Sequence, residues 1–278
     1  MKIINKLFTL PALLLCISIN AEPFDSTYIA KPSATSLLKN ANIYDGEGNE
    51  FFGYDLLIVD GKIDAIGLNL LSKANNTVEY DLEGMWVTPG IIDLHSHMGV
   101  YSAPGVKSSS DGNESTSPVT ADVWAEHSVW TQDPQFSLAL QGGVTTFHVL
   151  PGSANLIGGR GTTFKNVQSN TIQGMKFPDA PHSLKMACGE NPKRVYGSRR
   201  QAPSTRMGNI AGYRKAWIKA SKYRQNMNTY ESKSAEAKEI VSPPTRDLEM
   251  DTFAGVLNGE ILVQNHCYRA EEMAMMID

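Results

Sequence analysis

The chain has 278 residues, 41% of them hydrophobic, a formal net charge of −4 and three cysteines. That length and apolar content suffice for a sizeable core, while the acidic balance argues against nucleic acid or an anionic membrane as partner. So few cysteines exclude a disulfide framework as the organising device.

Residues 1–21 read as a signal peptide. Lys2 and Lys6 form the charged start, Leu7 to Ile19 the apolar stretch, and Ile19-Asn20-Ala21 a cleavage site. The apolar run is too short for a membrane span. Cys16 lacks the small preceding residue of a lipoprotein signal, so no stable membrane anchor is expected. Export to the periplasm or the medium follows. Cys188 and Cys267 remain, and each reads as a packed thiol.

Residues 22–87 read as a small β domain that begins with a polar arm over 22–35. Strands are expected at Leu37 to Ile43, Asp55 to Val59, Lys62 to Ile66 and Val78 to Leu82. Asp45-Gly46-Glu47-Gly48-Asn49 is a turn, and Asp60-Gly61 is a two-residue hairpin signal. The edges of this sheet need a partner sheet that no later stretch supplies.

Residues 88–278 form the second unit. Pro89-Gly90 leads into an apolar strand that ends in His95-Ser96-His97. Residues two apart on a strand share a face, so both imidazoles can reach one metal ion. The Gly- and Ser-rich stretch 99–120 reads as an active-site loop. Val119 to Leu140 reads as helical stretches, Val144 to Leu150 as a strand, and Pro151 to Gly161 as a glycine-rich loop without a phosphate-loop pattern. Strands follow at Thr162 to Val167 and Ser183 to Cys188. Lys193 to Arg206 reads as a basic loop in which Arg194 and Arg199 are candidates for lining a substrate pocket. Helices are expected over Asn209 to Ala237, with an apolar stripe of Tyr213, Trp217, Ala220 and Tyr223, and over Leu248 to Leu257, stopped by Asn258-Gly259. Glu260 to His266 is a strand, and Arg269 to Asp278 opens another helix. Strands alternating with helices imply a parallel α/β sheet or barrel.

His266 ends its strand as His97 does, and three strand-end histidines converge on one mouth in such a fold. Two groups compete for an acidic ligand. Strand parity and a position at the strand end favour Glu190, whereas Lys185 serves only if carbamylated. His148 lies near the end of its strand, as a pocket residue or a satisfied core histidine. His127 and His182 read as structural.

The motifs Val87-Thr-Pro-Gly-Ile-Ile-Asp-Leu-His-Ser-His97, Asn42-Ile-Tyr-Asp-Gly46, Val59-Asp-Gly-Lys-Ile-Asp-Ala-Ile-Gly67 and Gln141-Gly-Gly-Val-Thr-Thr146 together resemble the amidohydrolase superfamily, in its imidazolonepropionase-like members. The resemblance spans residues 37–278. It implies a metal-dependent (β/α)8 barrel, here a partial TIM barrel preceded by half of a small β-sandwich. It also implies His95, His97 and His266 as ligands of one or two divalent ions, zinc by expectation, with Glu190 as the less secure acidic ligand. The implied reaction is hydrolysis of a C–N bond in a small amide or cyclic amide by metal-activated water. A dipeptide substrate is the alternative. The family's sixth-strand histidine and eighth-strand aspartate have no counterpart in these residues. The expectation is therefore an N-terminal portion that is inactive alone, with a second chain as one source of the missing half. The competing reading is a non-catalytic homologue that serves binding or assembly, as a homo-oligomer or otherwise.

Overall fold

The computed structural model describes residues 23–71 and 76–278, so the expected signal peptide lies outside the described residues. The fold is mixed α/β with two sheets, the second curled into a half-barrel.

The first sheet contains β1 (Ser36–Tyr44), β2 (Glu50–Val59), β3 (Lys62–Gly67), β4 (Val78–Asp81) and β5 (Trp86–Val87). Its order is β3-β2-β1-β4, with β5 also pairing β1. Local chemistry sets both hairpins. The Asp45 carboxylate accepts from the backbone N–H groups of Glu47 and Asn49, closing the β1–β2 turn. Asp60 and Gly61 both adopt positive φ, 51° and 74°, as a two-residue turn between twisted strands requires. Ala41, Ile43 and Leu56 fill one face together with Phe51, Ile58 and Val87. The other face is left with Tyr44, Phe52 and Trp86 exposed, Tyr44 stacked on Trp86 and Phe52 edge-on to it.

The second sheet contains β6 (Ile91–Ser96), β7 (Val144–Val149), β8 (Ile157–Lys165), β9 (Ser183–Ala187) and β10 (Leu262–His266). Its order is β10-β9-β8-β7-β6. β6 runs parallel to β7 and β9 parallel to β10, but β8 is antiparallel to both of its neighbours. The carboxyl ends of β6, β7, β9 and β10 therefore share one rim.

Strand β8 corrects the expected glycine-rich loop. Ile157 to Gly161 are sheet residues, and their glycines are there for close approach. A side chain at Gly161 would meet Leu150 Cδ2 at 2.6 Å and His148 Nε2 at 2.7 Å, and Gly159 has φ of +112° against the backbone of Val123. The helical reading of 119–140 also shrinks, to one 3-10 turn (Ala125–His127) and helix α1 (Gln135–Gln141).

After the short α2 (Ile172–Met175) come α3 (Glu190–Gly197), α4 (Arg206–Glu231), α5 (Ala235–Ile240), α6 (Leu248–Asn258) and α7 (Ala270–Ile277). Helix α3 corrects the expected basic loop over residues 193–197. Pro192 sits in the first turn, where a missing N–H costs nothing. Thr205, Ser234 and Asp247 cap α4, α5 and α6 through their side-chain oxygens. Gly259 ends α6 in the left-handed conformation, as expected. Ser234 starts a new helix where one continuous helix was expected.

Helices α4 and α6 cover one side of the sheet. Tyr213, Ala216 and Ala220 of α4 and Met250 and Phe253 of α6 pack on Ile157, Leu184 and Met186. A second core joins Phe136 of α1 to Phe147, Val149 and Phe164. Cys188 and Cys267 are joined in a disulfide rather than packed as separate thiols. The register explains it: Ala187 pairs with His266, so the next residue of each strand lies side by side, with Cα atoms 5.1 Å apart. No helix among the described residues is long and apolar enough to cross a membrane.

Candidate metal centre

The rim formed by β6, β9 and β10 gathers the chemically distinctive side chains. His95 is the penultimate residue of β6, and His97 is the first residue beyond the strand. Their rings lie 5.1 Å apart and nearly perpendicular. Asp93 pairs with Phe147 and Ser96 with Val149, so β6 carries one extra residue there. Such a bulge bends a strand and re-aims its side chains. The Asp93 carboxylate stabilises it by accepting from the His95 backbone N–H at 3.0 Å.

Lys185 lies mid-strand on β9 and is 1% exposed. Its Nζ is 3.1 Å from His95 Nε2. Burial pushes the Lys185 amine down to about 8. His95 is lowered by burial and then by the facing Lys185, His97 and His266. His266 is lowered by burial, Lys185 and His97. His97 is lowered by burial, partly opposed by its bond to the Leu150 carbonyl. These groups share one electrostatic neighbourhood in which added positive charge is disfavoured.

The parity argument for Glu190 placed Leu184, Met186 and Cys188 toward the mouth. The structure gives Leu184 and Met186 to the helix layer and turns Lys185 the other way. Apolar side chains belong to the face that helices cover, and the inner face takes the polar residue. Glu190 is exposed on the first turn of α3, beyond Gly189, whose φ of +68° takes the chain off the strand path. Lys185, rather than Glu190, is therefore brought to the histidines.

His148 is buried on the inner face. Its Nε2 pairs with Ser183 Oγ at 2.6 Å and its Nδ1 with Thr163 Oγ1 at 2.8 Å, so hydroxyls satisfy both nitrogens. Burial, then His95, pushes it down to about 4. Arg194 is exposed and reaches Asn191. Arg199 binds the carbonyl and hydroxyl of Ser115, and Tyr196 Oη donates to Ser117 O at 2.6 Å. These two side chains fasten the 99–120 loop to α3. A cleft of about 440 Å³ lies between Asp111, Asn113 and Glu114 of that loop and Asp122, Trp124 and His127, and neither the rim histidines nor Lys185 line it.

Among the described residues no three His, Cys, Asp or Glu side chains form a metal-holding group by themselves. The donor set here needs its lysine. Neutral imidazoles suit a divalent cation, and the Nδ1 atoms of His97 and His266 are engaged by Leu150 O and Ser153 Oγ, leaving each Nε2 for coordination. The Lys185 ammonium would oppose a cation, whereas its carbamate would supply the missing anionic oxygens.

No protein-family model matches the chain. Amidohydrolase tasK from Hapsidospora irregularis is 30% identical over 278 residues, which cover 90% of this chain and 28% of that protein. A dihydroorotase from Ligilactobacillus salivarius is 42% identical over 71 residues, 25% of this chain and 15% of that protein. The crystal structure of an amidohydrolase from Thermotoga maritima superposes with a TM-score of 0.78 at 37% identity, over 87% of this chain and 60% of its own. These similarities agree with the sequence motifs, and the chain belongs to the amidohydrolase superfamily. It spans about 28% of the length of the curated relative and 60% of the solved one.

Proposed function

We propose that the chain carries the metal-holding part of a hydrolase that cleaves a C–N bond in a small amide or cyclic amide. The observation that carries this reading is the buried Lys185 amine, 3.1 Å from His95 Nε2, within a rim that also holds His97 and His266. His95, His97 and His266 would bind through imidazole nitrogens, and Lys185, carbamylated, would add an oxygen ligand. A bound divalent ion, zinc by preference, lowers the pKa of water toward about 7 and polarises a carbonyl. This chain's residues do the rest. Leu150 and Ser153 contact two of the imidazoles, Asp93 fixes the bulge, and the 99–120 loop bounds the substrate. The dihydroorotase similarity favours a cyclic amide over a dipeptide.

The edges of the barrel sheet support a further part of the proposal. Ile91, Ile92 and Leu94 on β6 and Leu262 and Val263 on β10 are exposed. Open apolar edges are liabilities unless covered. We infer that further polypeptide closes the curled sheet into a barrel there, on the same or a second chain, with the antiparallel β8 as a departure from an all-parallel (β/α)8 arrangement, and contributes the remaining catalytic groups. The Cys188–Cys267 disulfide supports an exported, oxidising location.

The test is zinc-dependent hydrolysis of a panel of cyclic amides and dipeptides by the protein combined with polypeptide covering both edges. Activity abolished by chelator and by Lys185→Ala is expected. Activity that survives either treatment overturns the reading.

A further inference from the structure

The 99–120 loop places one aromatic side chain against the rim. Tyr101 lies edge-on to His97, with ring centres 5.7 Å apart. Its backbone is fixed from several directions. Tyr101 N donates to His97 O at 3.0 Å, and Tyr101 O accepts from Gln135 Nε2 at 2.8 Å. The buried Asp133 carboxylate accepts from Gly99 N at 2.9 Å and from Ala103 N at 3.2 Å, which clamps the chain before and after the tyrosine. The ring lies so close to Gly112 that a side chain there would run into it, and a Cβ at Gly152 would stand 2.7 Å from the hydroxyl oxygen.

The direction of the hydroxyl proton follows from Asn113. A backbone N–H can only donate. Ala154 N donates to Asn113 Oδ1 at 3.0 Å, so that end of the amide is its oxygen and the other end is its NH2 group. The NH2 group donates to Tyr101 Oη, which is therefore the acceptor of the pair. The phenol's own proton is not used by Asn113, and no acceptor among the described residues takes it. A phenol keeps that proton near neutral pH. A neutral, immobilised hydrogen-bond donor thus stands beside a rim histidine.

We propose that Tyr101 is a substrate-binding residue that donates its phenol proton to an acceptor oxygen, carbonyl or carboxylate, of the small amide. The inference rests on the hydrolase reading for its substrate, but the geometry that carries it involves no metal. A site built to hydrogen-bond one substrate group discriminates strongly against analogues that lack it, because the site's own polar group is then left unpaired.

The experiment uses the full 278-residue chain carrying carbon-13 at tyrosine Cζ, whose NMR shift reports hydrogen bonding by the phenol. Tyr101→Phe assigns the Tyr101 signal by its loss. The probes are acetamide, which offers an amide carbonyl, and sodium acetate, which offers a carboxylate. A saturable shift of the Tyr101 signal with at least one probe is expected, and the responding probe identifies the acceptor. No shift with either overturns the proposal. Asn113→Asp then tests the direction of the proton, at high salt so that the added charge is screened. An aspartate there still accepts from Ala154 N but cannot donate to the phenol, so the phenol turns its proton inward. Binding of the responding probe is expected to weaken about 3- to 10-fold. A purely structural hydroxyl keeps its partner in this variant, so an unchanged response also overturns the proposal. In the hydrolysis assay, Tyr101→Phe is expected to raise KM more than it lowers kcat. Hydrolysis without a phenol response fails this proposal alone, whereas a phenol response in a protein that hydrolyses no member of the panel fails the hydrolase reading alone.

Discussion

His182 provides a stability prediction that can be worked through from its surroundings. The side chain is 7% exposed, and neither ring nitrogen has a hydrogen-bond partner among the described residues. It packs edge-on to Trp124 at 5.7 Å, and the Arg160 guanidinium lies over the same indole at 4.2 Å. Burial first, then the Lys176 and Arg160 cations, push His182 down to about 3. The unfolded chain protonates this histidine near the ordinary value of about 6.5, and the folded chain resists doing so. Stability from this group is therefore complete above about pH 6.5 and declines as pH falls toward the folded value. The loss attributable to it is about 2 kcal/mol at about pH 5, within a ceiling of about 5 kcal/mol at more acid pH. His182→Phe removes the titration and two unpartnered nitrogens while keeping an aromatic ring. Urea unfolding near pH 8 and near pH 5 should show a pH-dependent loss about 2 kcal/mol smaller in the variant than in the wild type. The rim histidines contribute equally to both proteins and cancel. An identical pH dependence in the two would refute the assignment of a buried, neutral, unpartnered ring.

Two further perturbations probe the fold around the rim. Reducing the Cys188–Cys267 bond, or replacing both cysteines by serine, opens a link across 79 residues, and chain entropy sets the expected cost at about 4 kcal/mol as an upper value. Unfolding midpoints unchanged by reductant would show that the bond does not form in solution. Gly159→Ala places a Cβ against the backbone of Val123 at a φ of +112°, so a loss of at least about 2 kcal/mol is expected by denaturant titration. A neutral outcome would contradict the path drawn for β8.

The parts legible in the sequence were those set by local chemistry. Asp60-Gly61 announced its hairpin, Asn258-Gly259 ended α6 where expected, and the α4 stripe of Tyr213 and Ala220 packs as the spacing required. The His95/His97 pair was visible because two histidines at a strand end need no distant information to be recognised. What escaped depends on pairing across the sheet. The antiparallel β8 is invisible to a pattern that only distinguishes strand from loop, and its glycines suggested a loop. The disulfide follows from the β9–β10 register, which places residues 79 apart side by side. The role of Lys185 turned on which face of β9 looks inward. On that strand the apolar residues marked the helix side, and a lone lysine between Leu184 and Met186 was the available signal.

The proposed metal centre depends on Lys185 becoming an anionic ligand beside His95. The direct measurement is carbon-13 NMR of the protein in labelled bicarbonate, with and without zinc, for the wild type and Lys185→Ala. A carbamate resonance that appears in the wild type, strengthens with zinc and is absent from the variant is the expected result, with zinc binding lost in the variant as well. Tight zinc binding with no carbamate signal, or binding unaffected by Lys185→Ala, would contradict the claim.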